Sequence, residues 1–258
     1  MKLTKLAGAL AICMACASGT ASADLFYQNV NAWDTTPAAG TNGYTAIMDE
    51  MQVNWAANSV YTDLDANGVD LGDTVVDSGV GTVGGYLLSG INLIGAQANE
   101  GVNFTHALNF AYNDMAGVVV AMLSPSAILA HYTSGTIDLW GDADLDGVND
   151  VKLLTLNVFN SDGTIGNFNI YATVGYAAPG VWYFPPAVDW STQVVAINAR
   201  IDTNLDKGGV PALQADGTYA RTSVLNGSVE FIPEPASIAL MGLGLLGLGL
   251  SRRSKKAV

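Results

Sequence analysis

The residues whose spacing suits chemistry best are Asp142-Ala143-Asp144-Leu145-Asp146-Gly147-Val148-Asn149-Asp150. The alternate carboxylates Asp142, Asp144 and Asp146 can turn inward together, and Gly147 permits the sharp turn that follows. Val148 offers a backbone carbonyl and Asp150 a fourth carboxylate. A hard cation that takes six to eight oxygen ligands, calcium above all, is the natural neutraliser of such a cluster. The plainer alternative is a solvated acidic hairpin loop. A weaker copy runs from Asp63 to Asp73: Asp63, Asp65, Asn67 and Gly68 keep the same places, but Leu71 stands ninth and Thr74 twelfth. Asp70 or Asp73 would have to complete a site there, and an Asx-rich turn is the simpler expectation.

Such loops need strands to hold them. Thr136 to Trp140 and Val151 to Phe159 carry the β-branched, aromatic and alternating character of strands and flank the stronger loop. In that setting the nonapeptide resembles the calcium loops between paired strands of integrin-type propeller blades. It departs from a full EF-hand, because Leu153 stands twelfth where a bidentate Glu is wanted. Val118 to Leu123 predicts a buried strand ending at Ser124-Pro125-Ser126. Phe168 to Val174, Gln193 to Asp202 and Thr222 to Phe231 predict further strands by alternation. Tyr44, Ile47, Met48 and Met51 keep helical spacing and predict at most one short helix, although Val53, Trp55 and Val60-Tyr61 suit a strand equally. There is no Pro- or Ser-rich linker and no repeat of fixed period. The expected fold is all-β, a single β-sandwich-like domain over residues 24–231.

Other residue types that could act are sparse. His106 and His131 lack zinc spacing, and neither a G-x-S-x-G elbow nor a phosphate-cradling loop occurs. A glycosidase pair of carboxylates leaves no mark in sequence, since only its spatial separation matters. Tyr171, Tyr176, Trp182, Tyr183, Phe184 and Trp190 cluster among Pro179, Pro185 and Pro186. They could form a sugar-stacking platform or, as is commoner, fill a core. The run Trp182-Tyr183-Phe184 cannot lie on one face of a strand, so part of it must face solvent or a loop. No enzyme is expected.

The two ends read as processing signals. Lys2 and Lys5 precede an apolar stretch, and Ala21-Ser22-Ala23 is a small-residue cleavage site, giving a signal peptide over residues 1–23. Both cysteines, Cys13 and Cys16, lie inside it, so the mature chain has neither disulfide nor thiol. Between Asp24 and Glu234, four basic side chains face 23 acidic ones, a net charge of −19 that argues against nucleic acid and favours divalent cations or basic partners. At the far end stand Pro233-Glu234-Pro235, fifteen uncharged, mostly apolar residues from Ala236 to Leu250, and Arg252, Arg253, Lys255 and Lys256. The apolar run predicts one C-terminal hydrophobic helix, a marginal membrane span with its basic end in the cytoplasm.

That order of parts, over residues 232–258, resembles the PEP-CTERM sorting tail of exported Gram-negative proteins, with Pro233, Glu234 and Pro235 as its motif and Arg252-Arg253 as its basic stop. The resemblance implies export by the Sec translocon, transient residence in the inner membrane, and cleavage near the motif by an exosortase. Gly72 to Gly79 and Ser134 to Leu139 also faintly resemble flocculation-associated PEP-CTERM proteins. The expected function is a secreted or cell-surface structural protein of an exopolysaccharide matrix, biofilm or floc, with Ca2+ as the candidate ion. The alternative is a carbohydrate-binding or polysaccharide-hydrolysing module using the aromatic loop.

Overall fold

A computed structural model describes residues 24–34, 41–192 and 197–233. The signal cleavage residues Ala21 and Ala23 and the tail beyond Pro233, where the C-terminal hydrophobic helix is expected, lie outside them. Ala23–Phe231 forms one compact unit. Its strands are β1 (Tyr27–Gln28), β2 (Glu50–Thr62), β3 (Thr74–Leu88), β4 (Ile91–Asn92), β5 (Ala107–Ser124), β6 (Ala127–Asp142) and β7 (Val151–Thr164). They continue with β8 (Asn167–Ala177), β9 (Trp182–Phe184), β10 (Val188–Asp189), β11 (Ile197–Gly208), β12 (Ala212–Leu213) and β13 (Tyr219–Pro233).

The expected sandwich is a barrel. Each long strand pairs with the next, β2-β3-β5-β6-β7-β8-β11, while β13 pairs with both β2 and β11. Eight strands therefore close into an up-and-down ring with no free edge between them. A sandwich would leave two sheets; here twelve residue pairs from Tyr219↔Tyr61 to Glu230↔Glu50 join the last strand to the first. The far side of the seam depends on Gly227, where a Cβ would collide with the carbonyl oxygen of Asp202 on β11. Alternation of inward and outward residues serves a sandwich and a barrel equally, and the closing contact spans most of the chain.

The strands alternate along their length. In β2, Met51, Val53, Trp55, Ala57, Ser59 and Tyr61 are buried, while Asn54, Ala56, Asn58 and Thr62 are exposed. The segment that kept helical spacing thus runs into a strand. Among the described residues the only α-helix is α1 (Ala96–Asn99), and no helix is long and apolar enough to cross a membrane. Val118 to Leu123 belongs to β5 but is not buried throughout: Val119 points in, while Val118, Val120 and Leu123 are exposed. Eight strands give an interior that side chains just fill. Met51, Val53, Trp55, Ile137, Leu139, Leu154, Leu156, Ile170, Ile201 and Val229 fill it here, around a remaining cavity of about 50 Å3.

The two ends of the barrel differ. One is stoppered by an aromatic cluster in which Trp190 lies 4.7 Å from Phe231, 4.9 Å from Phe184 and 5.5 Å from Phe26, ring centre to ring centre. Trp182 stacks on Trp190 and donates its indole N–H to the Leu153 carbonyl. Truncating either indole would cost roughly 3–5 kcal/mol. Towards the other end the interior turns polar around the buried Asp77, which accepts a 2.5 Å hydrogen bond from Tyr132 Oη.

Candidate functional site

The two acidic loops sit at opposite ends of the barrel, because one joins β2 to β3 and the other joins β6 to β7 in a strict up-and-down order. Their backbones follow the same course. Ala66 and Leu145, the fourth positions, both adopt a left-handed conformation (φ 63° and 60°), and Gly68 and Gly147 follow with φ 101° and 83°. In each, the glycine N–H donates to the first aspartate: Gly68 to Asp63 Oδ2 at 2.8 Å, Gly147 to Asp142 Oδ2 at 3.0 Å. A second carboxylate clasps each loop near its start, Asp73 Oδ1 accepting from Leu64 N and Asp150 Oδ2 from Ala143 N.

What differs is the rest of the first aspartate. Asp142 is 2% exposed, and its Oδ1 has no hydrogen-bond partner. Ligand oxygens of Asp142, Asp144 and Asp146 lie within 4.8 Å of one another. Leaving a buried carboxylate oxygen unpaired is costly, and a bound cation removes that cost. Three carboxylates, a carbonyl such as that of Val148, and solvent make a donor set suited to calcium. Asp150 is not part of this convergence; it acts as the clasp. Val148 donates its own N–H to Asp146 Oδ1, which orients that carboxylate.

In the other loop Asp63 Oδ1 is occupied by the N–H groups of Ala66, Asp65 and Asn67. The Asn67 amide bonds both Asp65 Oδ2 and Asp70 Oδ2, and Asp70 N donates to Asp73 Oδ2. The Gly68 N–H and these other amides hold the Asp63 carboxyl below its ordinary 3.8. Slight desolvation by its neighbours and the nearby Asp70 carboxylate push the exposed Asp65 up. Asp63, Asp65, Asn67 and Asp70 therefore form a closed hydrogen-bonded turn.

The remaining candidates separate. His106 is fully buried, 3.4 Å from Asp34 Oδ2 and edge-on to Trp33, and burial lowers its pKa. His131, at the other end of the barrel, contacts the Ser161 carbonyl through Nδ1 at 2.7 Å. Trp182, Phe184 and Trp190 are buried and fill a core, whereas Tyr176 is exposed and Tyr171 half-buried. Only the middle residue of its run, Tyr183, turns outward, against Tyr27. Sequence reasoning missed the polar chamber. Asp77, Tyr132, Ser59, Ser223 and Arg221 line a cavity of about 30 Å3, room for about one water molecule. Burial pushes Asp77 and Tyr132 up, and Tyr61 to about 12. Asp77 Oδ1, Ser223 Oγ and Arg221 Nε are unpaired there. An isolated Asp within an alternating strand gives no sequence signal of such a cluster.

Residues 231–253 match the PEP-CTERM protein-sorting motif. The motif marks an exported protein with a membrane-anchored precursor, sorted by exosortase. It begins at Phe231, inside β13, and Pro233 ends that strand. No curated protein is detectably similar in sequence. Among solved structures the chain is similar to the crystal structure of Ail, the attachment invasion locus protein of Yersinia pestis. The match has 10% identity and a TM-score of 0.19, covering 70% of this chain and 99% of that one.

Proposed function

We propose that this chain, which carries a PEP-CTERM sorting motif and leaves the cell by way of exosortase, is a non-enzymatic structural protein of the cell surface or extracellular matrix whose barrel is braced by calcium. The unpaired, buried Oδ1 of Asp142 beside Asp144 and Asp146 carries the reading. A carboxylate kept out of water and left open towards two others is arranged for a cation, and calcium is abundant outside cells. The mature charge of −19 adds a reason, since copies repel at low salt and divalent ions lessen that repulsion. Calcium-dependent cohesion of cells in a floc or biofilm follows from both. A hydrolytic module at the aromatic loop loses its support, because those indoles are inside.

The test is made on the producing bacterium and on the protein recovered from it. Millimolar calcium should raise the melting temperature and magnesium should raise it less. Deleting the gene should slow settling of the culture, with calcium no longer restoring it. An unchanged melting curve with calcium and with chelator rejects the ion, and normal settling of the deletion strain rejects the cohesive role.

A further inference from the structure

The outer wall of the barrel carries a row that the loops do not explain. Cross-strand partners share a face, and the registers link Asn226↔Asn54, Asn54↔Thr82, Thr82↔Asn109, Asn109↔Trp140 and Trp140↔Lys152. One unbroken line of side chains thus crosses β13, β2, β3, β5, β6 and β7. Neighbouring strands lie about 4.8 Å apart. An extended polymer laid across β2, β3 and β5 meets an uncharged hydrogen-bonding group at every strand and then reaches an indole.

That indole stands apart from the others. Trp33, Trp55, Trp182 and Trp190 are buried, whereas Trp140 is half-buried on the outer wall. On its β7 side the Lys152 ammonium lies 5.0 Å from the ring centre and is paired with Asp138. On its β5 side lies a groove of about 580 Å3, lined by Trp140, Thr136, Asp138, Asn113, Asp114 and Asn149. The groove exists because β5 bulges between Tyr112 and Ala116, where Asp114 Oδ1 accepts the Thr136 N–H. Asn149, from the acidic loop, forms its far lip and is bonded by Asn109.

We propose that this wall binds a neutral polysaccharide in extended form, with one sugar ring against Trp140 in the groove and successive hydroxyls along Asn109, Thr82 and Asn54. An aromatic ring edged by amides, hydroxyls and carboxylates suits a sugar's apolar face and its rim of hydroxyls. The size falls in the range of small-ligand sites. The acidic domain repels uronic acids and sulfated chains, which selects a neutral polymer. The assignment supplies the partner in the matrix reading and rests on it only for the exported address.

Full-length protein in a sugar-free zwitterionic detergent is titrated calorimetrically with cellohexaose, chitohexaose and a polygalacturonate hexamer, with and without calcium. At least one neutral hexamer should bind saturably and shift the Trp140 emission, with the acidic hexamer at least about tenfold weaker. Trp140→Ala should weaken binding at least about tenfold, a loss of roughly 1.4 kcal/mol. Trp140→Phe should keep part of it and show that the barrel still folds. Asn54→Asp should weaken it about three- to tenfold through a lost hydrogen bond and an added charge, and Tyr44→Ala should leave it unchanged. No binding of either neutral hexamer, binding indifferent to Trp140, or equal binding of the acidic hexamer overturns the proposal. Failure here with the calcium stabilisation intact removes the polysaccharide and leaves the metal reading standing.

Discussion

Loops 63–73 and 142–150 form a natural controlled pair. They share the aspartate spacing, the left-handed fourth residue, the glycine turn and the clasping carboxylate, yet they reach different ends. In the first, four peptide N–H groups serve Asp63, and the Asn67 amide ties Asp65 to Asp70. In the second, an aspartate replaces that asparagine, no amide reaches Asp142 Oδ1, and Asp142 is sunk into the barrel rim. The difference teaches that a D-x-[DN]-x-[DN]-G pattern specifies a backbone turn, whereas the depth of its first residue decides whether that carboxylate is fully hydrogen-bonded within the turn.

The largest test breaks the second loop. Calcium bound there as proposed should, at a hundredfold excess over its dissociation constant, stabilise the folded state by about 2.7 kcal/mol, roughly 5–10 °C in melting temperature for a chain of this size. Asp142→Asn should abolish that rise, and Asp144→Ala most of it, in melting curves with calcium and with chelator. A smaller effect comes from opening the first loop. Asp63→Ala removes the acceptor of four N–H groups and should lower the melting temperature by a few degrees, equally with and without calcium.

Converting one loop towards the other should do less. Asn67→Asp restores the aspartate spacing but leaves an exposed site, so it should melt slightly lower in chelator and recover with calcium, by less than the second loop responds. Acid probes the first loop as well. The depressed pKa of Asp63 means that its stabilisation is complete above the ordinary 3.8 and disappears only as pH falls through the lower folded value. Hydrogen exchange should therefore show the Gly68 N–H still protected just below pH 3.8. Asp65→Ala should produce the smallest change in melting temperature, with calcium response intact.

The strands flanking the acidic turn were legible because Thr136 to Trp140 and Val151 to Phe159 alternate locally and are bounded by turn residues. Closure was not, since Met51↔Val229 and Tyr61↔Tyr219 join residues from opposite ends of the chain with no local mark. Met48 and Met51 satisfied helical spacing by coincidence; the beat of two from Met51 through Tyr61 was the longer signal. The acidic loop residues could be named from spacing alone. The burial that divides Asp142 from Asp63 could not, because it depends on where each hairpin meets the barrel. The Asn–Thr–Asn–Trp row is visible only once four separate strands are in register.

The seam has a mechanical consequence. β13 leads without a linker into the sorting motif, and it is held by β2 on one side and β11 on the other. A pull on its C-terminal end, opposed by a grip on the wall at β5 and β6, runs parallel to the strands. The twelve paired positions between β13 and β2 then share the load in shear and cannot be peeled one at a time. A protein moored by this end would meet such a pull with the whole length of the seam at once.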